Sequence, residues 1–329
     1  MSTDTTASRA ASSRVASSRT ASSRAARKSA RRAVAARENV PVRLYGLRRG
    51  TTTLLTLVCA GFATFILAPL VWLLINSTKT QANVYQSSGF WFARPFRLFQ
   101  NLAGLGKNIS GAGVYLRWLE NTLLYAVAGA VGATVLSALA GYGFSRFRFR
   151  GGNALFYVVM STLLVPITSI ALPLFLVYAK VGLVNSVWGM ILPSMVSPVG
   201  IYLMRTFIDA TVAQDLLDAA RIDGAGELRV FWRVALPLMV PGLLTVLLLT
   251  VVAVWNNYFL PLMLFSRSDL YPLTVGLSSL SQAAETGTKA ELVPVLITGG
   301  LVTVLPLIAL FLVLEKYFRG GALQGSVTG

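Results

Sequence analysis

The sequence predicts an all-α membrane protein with six transmembrane helices, on three observations. The chain of 329 residues is 55% hydrophobic and only 12% charged, and its mean hydropathy is +0.66. Its apolar residues gather into runs of about 20, the length a helix needs to cross a bilayer. The interiors of those runs hold no Asp, Glu, Lys or Arg, whereas a soluble core of that size would need charged surface around it.

Residues 1–50 come before the first run and differ in kind. They are rich in Ser, Ala and Arg, with Ala-Ser-Ser-Arg recurring at 11, 16 and 21. Twelve Lys or Arg stand there against Asp4 and Glu38, and no apolar periodicity offers a core. This tail is expected to be a disordered, solvated cytoplasmic extension that helps fix orientation, with anionic lipid headgroups as its alternative contact and nucleic acid not expected as a partner. A secretory leader is not expected, because the apolar run from Leu54 is too long and comes too late.

The membrane part, 51–329, divides as follows. Spans are expected at about 54–75, 121–144, 154–178, 187–204, 238–264 and 292–314. The second is rich in Ala and Gly, which lets helices approach closely. The third carries Pro166 and Pro173, and the fourth Pro193 and Pro198. Each of these prolines, with Pro261, is expected to forfeit a helical hydrogen bond, leaving a kink or a free carbonyl beside a pathway. Six spans put both termini on one side. That side carries 21 Lys or Arg against 8 on the other, so both termini and the 205–237 loop are read as cytoplasmic.

The 205–237 loop is the one long polar stretch on that side. Its periodicity predicts a short helix with Leu216, Leu217, Ala219, Ala220 and Ile222, and with charge on Asp218, Arg221 and Asp223. Gly224 stands where such a helix ends on a residue that tolerates positive φ. A second helical segment is expected to align Leu228, Phe231, Trp232 and Ala235. The paired alanines leave a face without bulk that another protein's surface can approach. Asp218 has two candidate partners, Arg221 or a cation on that other protein.

Several chemistries are excluded or disfavoured. The chain has no histidine and one cysteine, Cys59, in an apolar run, so imidazole metal sites and internal disulfides are absent. No phosphate loop is present: Gly104-Leu-Gly-Lys-Asn lacks both its first glycine and the hydroxyl after lysine. Catalytic, cofactor and metal residues are therefore expected to be none. The lack of mid-membrane charge argues against a proton-driven carrier. A channel, a sodium-coupled carrier, or the membrane half of a machine energised elsewhere remain.

The spacing Asp218-Ala219-Ala220, Gly224, Val234, Leu236-Pro237 resembles the EAA loop of ABC importer permeases, with Asp for the usual Glu and Val for the usual Ile. Over residues 54–329 the chain is similar to the maltose-type sugar importer permeases. Trp118-Leu-Glu-Asn-Thr-Leu, Ala140-Gly-Tyr-Gly-Phe-Ser-Arg, Gly182-Leu-Val-Asn-Ser, Trp255-Asn-Asn-Tyr-Phe-Leu-Pro and Glu315-Lys-Tyr-Phe-Arg-Gly-Gly carry the likeness. Asn257 departs from it where an acid is frequent, and Leu260 where Trp is common.

This resemblance implies the type I ABC importer permease fold in a bacterial cytoplasmic membrane, with Asp218, Ala219, Ala220, Arg221, Gly224, Leu236 and Pro237 coupling to an ATPase. It also implies a second, related permease subunit, two ATPase subunits, an extracytoplasmic solute-binding protein and a sugar substrate. A polyamine or glycerophosphodiester is the alternative solute. Asn256, Asn257 and Tyr258 offer amide and hydroxyl groups within an apolar span, either to a sugar pathway or to interhelical hydrogen bonds.

Overall fold

The computed structural model describes residues 49–107, 113–287 and 290–324. The predicted disordered tail lies outside the described residues, apart from Arg49 and Gly50. The chain divides into two units, Met1–Phe65 and Ile66–Gly329. The boundary falls inside the first helix, α1 (Arg49–Asn76). In the first unit the described residues are helical, with Leu54, Leu57, Phe62 and Phe65 exposed.

The second unit begins with the end of α1 and two short helices, α2 (Gln81–Gln86) and α3 (Leu98–Lys107). Next comes α4 (Val114–Arg146), extending past both ends of the predicted second span. Glycines make its packing possible. A Cβ built on Gly141 would lie 2.7 Å from Met204 Cβ and 2.9 Å from the Arg205 backbone nitrogen. Helix α8 (Pro198–Thr211) therefore crosses α4 at backbone distance, the close approach the Ala- and Gly-rich composition predicted.

The expected third span is a bent pair, a correction to the reading of one interrupted helix. Helix α5 (Gly152–Ser161) and the 3₁₀ turn Thr162–Leu164 end where Pro166 caps α6 (Ile167–Lys180). The two halves meet at 104°. The residue before a proline is pushed out of the helical region, and Val165 is extended. The fourth span also breaks, between α7 (Val187–Ser194) and α8, but counts as one apolar span of 25 residues. Five helices are long and apolar enough to cross a membrane, and six spans result if the bent pair is one.

Three of the five prolines forfeit nothing, which corrects that expectation. Pro166 is an N-cap, and Pro198 is in the first turn of α8. Pro261 likewise sits in the first turn of a short helix, α12 (Phe259–Leu264). At a helix start the amide would have had no partner in any case. Pro173 and Pro193 are interior.

The remaining elements are α9 (Gln214–Ile222), α10 (Glu227–Val230), a π turn at Phe231–Ala235 and α11 (Leu236–Trp255). Beyond α12 come α13 (Leu273–Glu285) and the long final α14 (Val293–Gln324). Helices α4, α8 and α11 form the centre of the bundle, and two buried clusters lie along it. One gathers Trp118, Tyr125, Met190, Trp255 and Leu273. The other gathers Tyr142, Met204, Ile208, Leu217, Phe231 and Met239 beside the polar loop.

The Trp118 motif now has a mechanical meaning. Trp118 Nε1 donates to Ser268 O at 2.8 Å, and Asn121 Nδ2 donates to Asp269 O at 2.7 Å. Thr122 Oγ1 accepts from Leu273 N at 2.8 Å, and Tyr125 OH donates to Leu270 O. Four side chains on one face of α4 thus satisfy the backbone of the 268–273 turn, whose buried polar groups would otherwise be costly.

Candidate functional site

The 205–237 loop folds into short helices with one buried and one exposed face. Helix α9 ends in two backbone bonds, Gly224 N to Arg221 O and Ala225 N to Ala220 O, each 3.0 Å. This is the Schellman pattern, and it needs a left-handed residue. Gly224 supplies it, with φ at +83°.

The charge question left open by the sequence has an answer within the chain. Arg221 Nη1 donates to Asp218 Oδ1 at 2.6 Å. Its Nε and Nη2 donate to Glu227 Oε1 and Oε2 at 2.8 and 3.1 Å, a two-pronged grip across the turn. The hydrogen bonds to Glu227, then to Asp218, raise the Arg221 pKa above its ordinary value. Gln214 Nε2 also donates to Asp218 Oδ1, at 3.1 Å. Helices α9 and α10 are locked to each other through one guanidinium.

Burial sorts the loop's residues into two faces. Leu217 is buried and Ala220 half-buried against the cluster behind it. Ala219 is exposed, as is Pro237, while Leu236 is half-buried. Ile222 is 87% exposed, Leu228 78% and Trp232 58%. The expected alignment of Leu228, Phe231, Trp232 and Ala235 does not occur. The π turn adds a residue to the repeat, so Val230, Phe231, Ala235 and Met239 face inward and Leu228 and Trp232 point out.

Sequence reasoning missed Arg146, the last residue of α4. Its Nη2 donates to Ile208 O at 2.7 Å and to Val212 O at 2.5 Å. Its Nη1 reaches Gln214 Oε1 at 3.4 Å. Beside it, Ser145 Oγ donates to Asp209 Oδ1 at 2.5 Å. A guanidinium here suits the exposed carbonyls at a helix C-terminus. The result is a continuous polar chain from α4 through Arg146, Gln214, Asp218 and Arg221 to Glu227.

Farther along the bundle, a cavity of about 380 Å³ opens where α7 breaks into α8, facing α6 and α11. Its lining is apolar except for Ser194, Ser197, Thr250 and Asn257. Asn257 lies just past the end of α11, which stops at Trp255, so the predicted 238–264 span is broken there and not one continuous helix. Its Oδ1 accepts from Leu260 N at 3.3 Å, and its backbone carbonyl accepts from Thr274 Oγ1. Asn256 turns back to Val252 O, and Tyr258 OH lies 3.2 Å from Ser278 Oγ. Of the three predicted pathway residues, only Asn257 is among those lining this cavity.

No group of three or more metal-ligating side chains occurs among the described residues.

The apolar helices, five or six of them long enough to span a bilayer, define a multi-pass membrane protein, and the comparisons with known proteins name its kind. The family described as binding-protein-dependent transport system inner membrane component matches residues 133–321. The arabinooligosaccharides transport system permease protein AraQ of Bacillus subtilis (strain 168) is 34% identical over 220 residues, 67% of this chain and 76% of that one. The sn-glycerol-3-phosphate transport system permease protein UgpE of Yersinia enterocolitica is 30% identical over 261 residues, 78% of this chain and 90% of its own. A solved bacterial ABC transporter involved in importing the acidic polysaccharide alginate shares the fold. Its TM-score is 0.69 at 24% identity, covering 83% of this chain and 99% of that one. The chain belongs to the binding-protein-dependent inner membrane component family of ABC transport permeases. In that family the permease is not itself the catalytic subunit.

Proposed function

We propose that this chain is one of two permease subunits of an ATP-driven sugar importer, with both termini in the cytoplasm. A second, related permease, two ATPase subunits and an extracytoplasmic solute-binding protein complete the assembly. The single observation that carries the reading is the bracket at α9. An exposed helix, capped by Gly224 and locked to its neighbour by Arg221, transmits a push as a rigid body. ATP binding to the docked ATPase would then tilt α9, and α4 would follow through Arg146. The exposed Ile222, Leu228 and Trp232 suit a partner surface covering that end.

The cavity supports a neutral, hydroxyl-rich solute. Serine, threonine and asparagine pair with sugar hydroxyls, and among the described residues no Lys or Arg lines the space to neutralise a phosphate. This favours the sugar named in one relative over the glycerol phosphate named in another. The test is uptake of labelled oligosaccharide into proteoliposomes that hold this chain with its co-purified partners. Uptake should need both ATP and the binding protein, and neither glycerol phosphate nor polyamine should compete. Uptake by this chain alone would overturn the reading.

A further inference from the structure

The stretch between α2 and α3 carries an unusual surface. Phe90, Trp91, Phe92 and Phe96 are exposed, and Phe99 follows on the first turn of α3. Trp91 and Phe99 are each 75% exposed. Arg94 and Arg97 are interleaved with them and also exposed. Left in water, five adjacent aromatic rings would be a costly patch.

The fold fixes where this stretch sits along α1. The Asn76 side-chain amide donates both to Trp72 O and to Gly89 O, each at 2.8 Å. Lys79, itself buried, donates from Nζ to Ser88 O at 2.7 Å. Gly89 lies so close to Trp72 that a Cβ there would come within 2.6 Å of the indole Nε1. Residues 88 and 89 are therefore pinned beside the last turns of an apolar span. One residue later the chain leaves with Phe90 outward. On α1 itself, Leu67, Val71 and Leu74 are exposed at the same end.

From this geometry we propose that residues 90–99 form a lipid-contacting foot, seated where acyl chains meet headgroups in the leaflet at which α1 ends. Aromatic rings with one apolar and one wet side collect at that depth. Arginines lay their stems on the apolar layer and reach lipid phosphates with their guanidinium groups. Alternating aromatics and arginines fit both halves of the boundary, and the exposed face of α1 continues the same lipid surface. The foot would hold the end of α1 at a fixed depth, using the Asn76 and Lys79 bonds as its attachment.

Trp91 is its own reporter. The full chain, with any co-purifying partners, is reconstituted into phosphatidylcholine vesicles brominated either near the glycerol end or near the methyl end of the acyl chains. The emission of Trp91 is the difference between wild type and Trp91→Phe, a change at an exposed ring that leaves the fold in place. The expected result is loss of that emission with shallow bromine, a smaller loss with deep bromine, and little quenching by aqueous iodide. If iodide quenches Trp91 and bromine at neither depth does, the segment faces water and the proposal fails. If neither quencher reaches it, a protein partner covers the surface and the proposal fails equally.

Discussion

Arg221 and Glu227 face each other across the turn that ends α9, joined by two parallel hydrogen bonds of 2.8 and 3.1 Å. Glu227 starts the helical stretch that runs through the π turn into α11. The grip therefore fixes the angle between the proposed docking helix and a membrane span. Arg221→Met should leave the chain folded, because exposed ion pairs contribute only about 0.2–1 kcal/mol. Binding-protein-stimulated ATP hydrolysis should fall while unstimulated hydrolysis persists. Paired assays on the reconstituted complex check this, and unchanged stimulation would show that the bracket need not be rigid.

Arg146 is the second joint. Ile208 and Val212 are buried, and their carbonyls share its guanidinium. Ile208 O also accepts from Val212 N at 3.1 Å, so Arg146→Met would take the side-chain donor chiefly from Val212 O, at a cost of roughly 1–3 kcal/mol. Both thermal stability and stimulated hydrolysis should drop. Lysine keeps the charge but not the fork, so Arg146→Lys should recover stability more than coupling. Equal recovery of both would reduce Arg146 to a helix cap.

Gly141 sets how closely α4 and α8 pack. Gly141→Leu would drive its side chain into the backbone of α8 at Arg205, and overpacking of this kind costs about 1–3 kcal/mol or more. A lowered unfolding temperature in detergent is the expected result. Gly143, a little over half a turn away with nothing within 4 Å of a built Cβ, is the control, and Gly143→Ala should be neutral or slightly stabilising.

Asn257 tests the pathway. Asn257→Asp keeps the Oδ1 that accepts from Leu260 N, while Asn257→Leu loses it and makes the cavity wall more apolar. With transport measured against sugar concentration, Asn257→Leu should raise the half-saturating concentration or abolish uptake, with the complex still assembled. Wild-type uptake in that variant would move the pathway elsewhere.

The apolar runs made the six-span reading possible, since a bilayer imposes length and composition together. The short helix of the polar loop and its glycine stop were equally legible, because α9 obeys local rules that need only neighbouring residues. What stayed hidden depended on distance or on irregular repeat. Arg146 acts on carbonyls 62 and 66 residues away, and it lies within a run of alternating Arg and Phe that reads simply as a charged loop. Leu228 and Trp232 were misplaced because helical spacing assumes 3.6 residues per turn, and the π turn at Phe231–Ala235 breaks it. Pro166 predicted an interruption but not its size, since the 104° bend depends on what α6 packs against.

The central claim is that α9 is where the ATPase docks. Ala219 is the exposed member of the alanine pair, whereas Ala220 leans on the chain's own core, so bulk belongs at Ala219. Gly224 has open space around it but a positive φ, which a β-branched residue adopts only at a strain of roughly 1–3 kcal/mol. The decisive measurement is co-purification of the ATPase with an Ala219→Phe, Gly224→Val double variant, alongside stimulated hydrolysis in proteoliposomes. The account predicts that the membrane bundle is recovered folded while the ATPase is lost or no longer stimulated. Wild-type co-purification together with wild-type stimulation would contradict it.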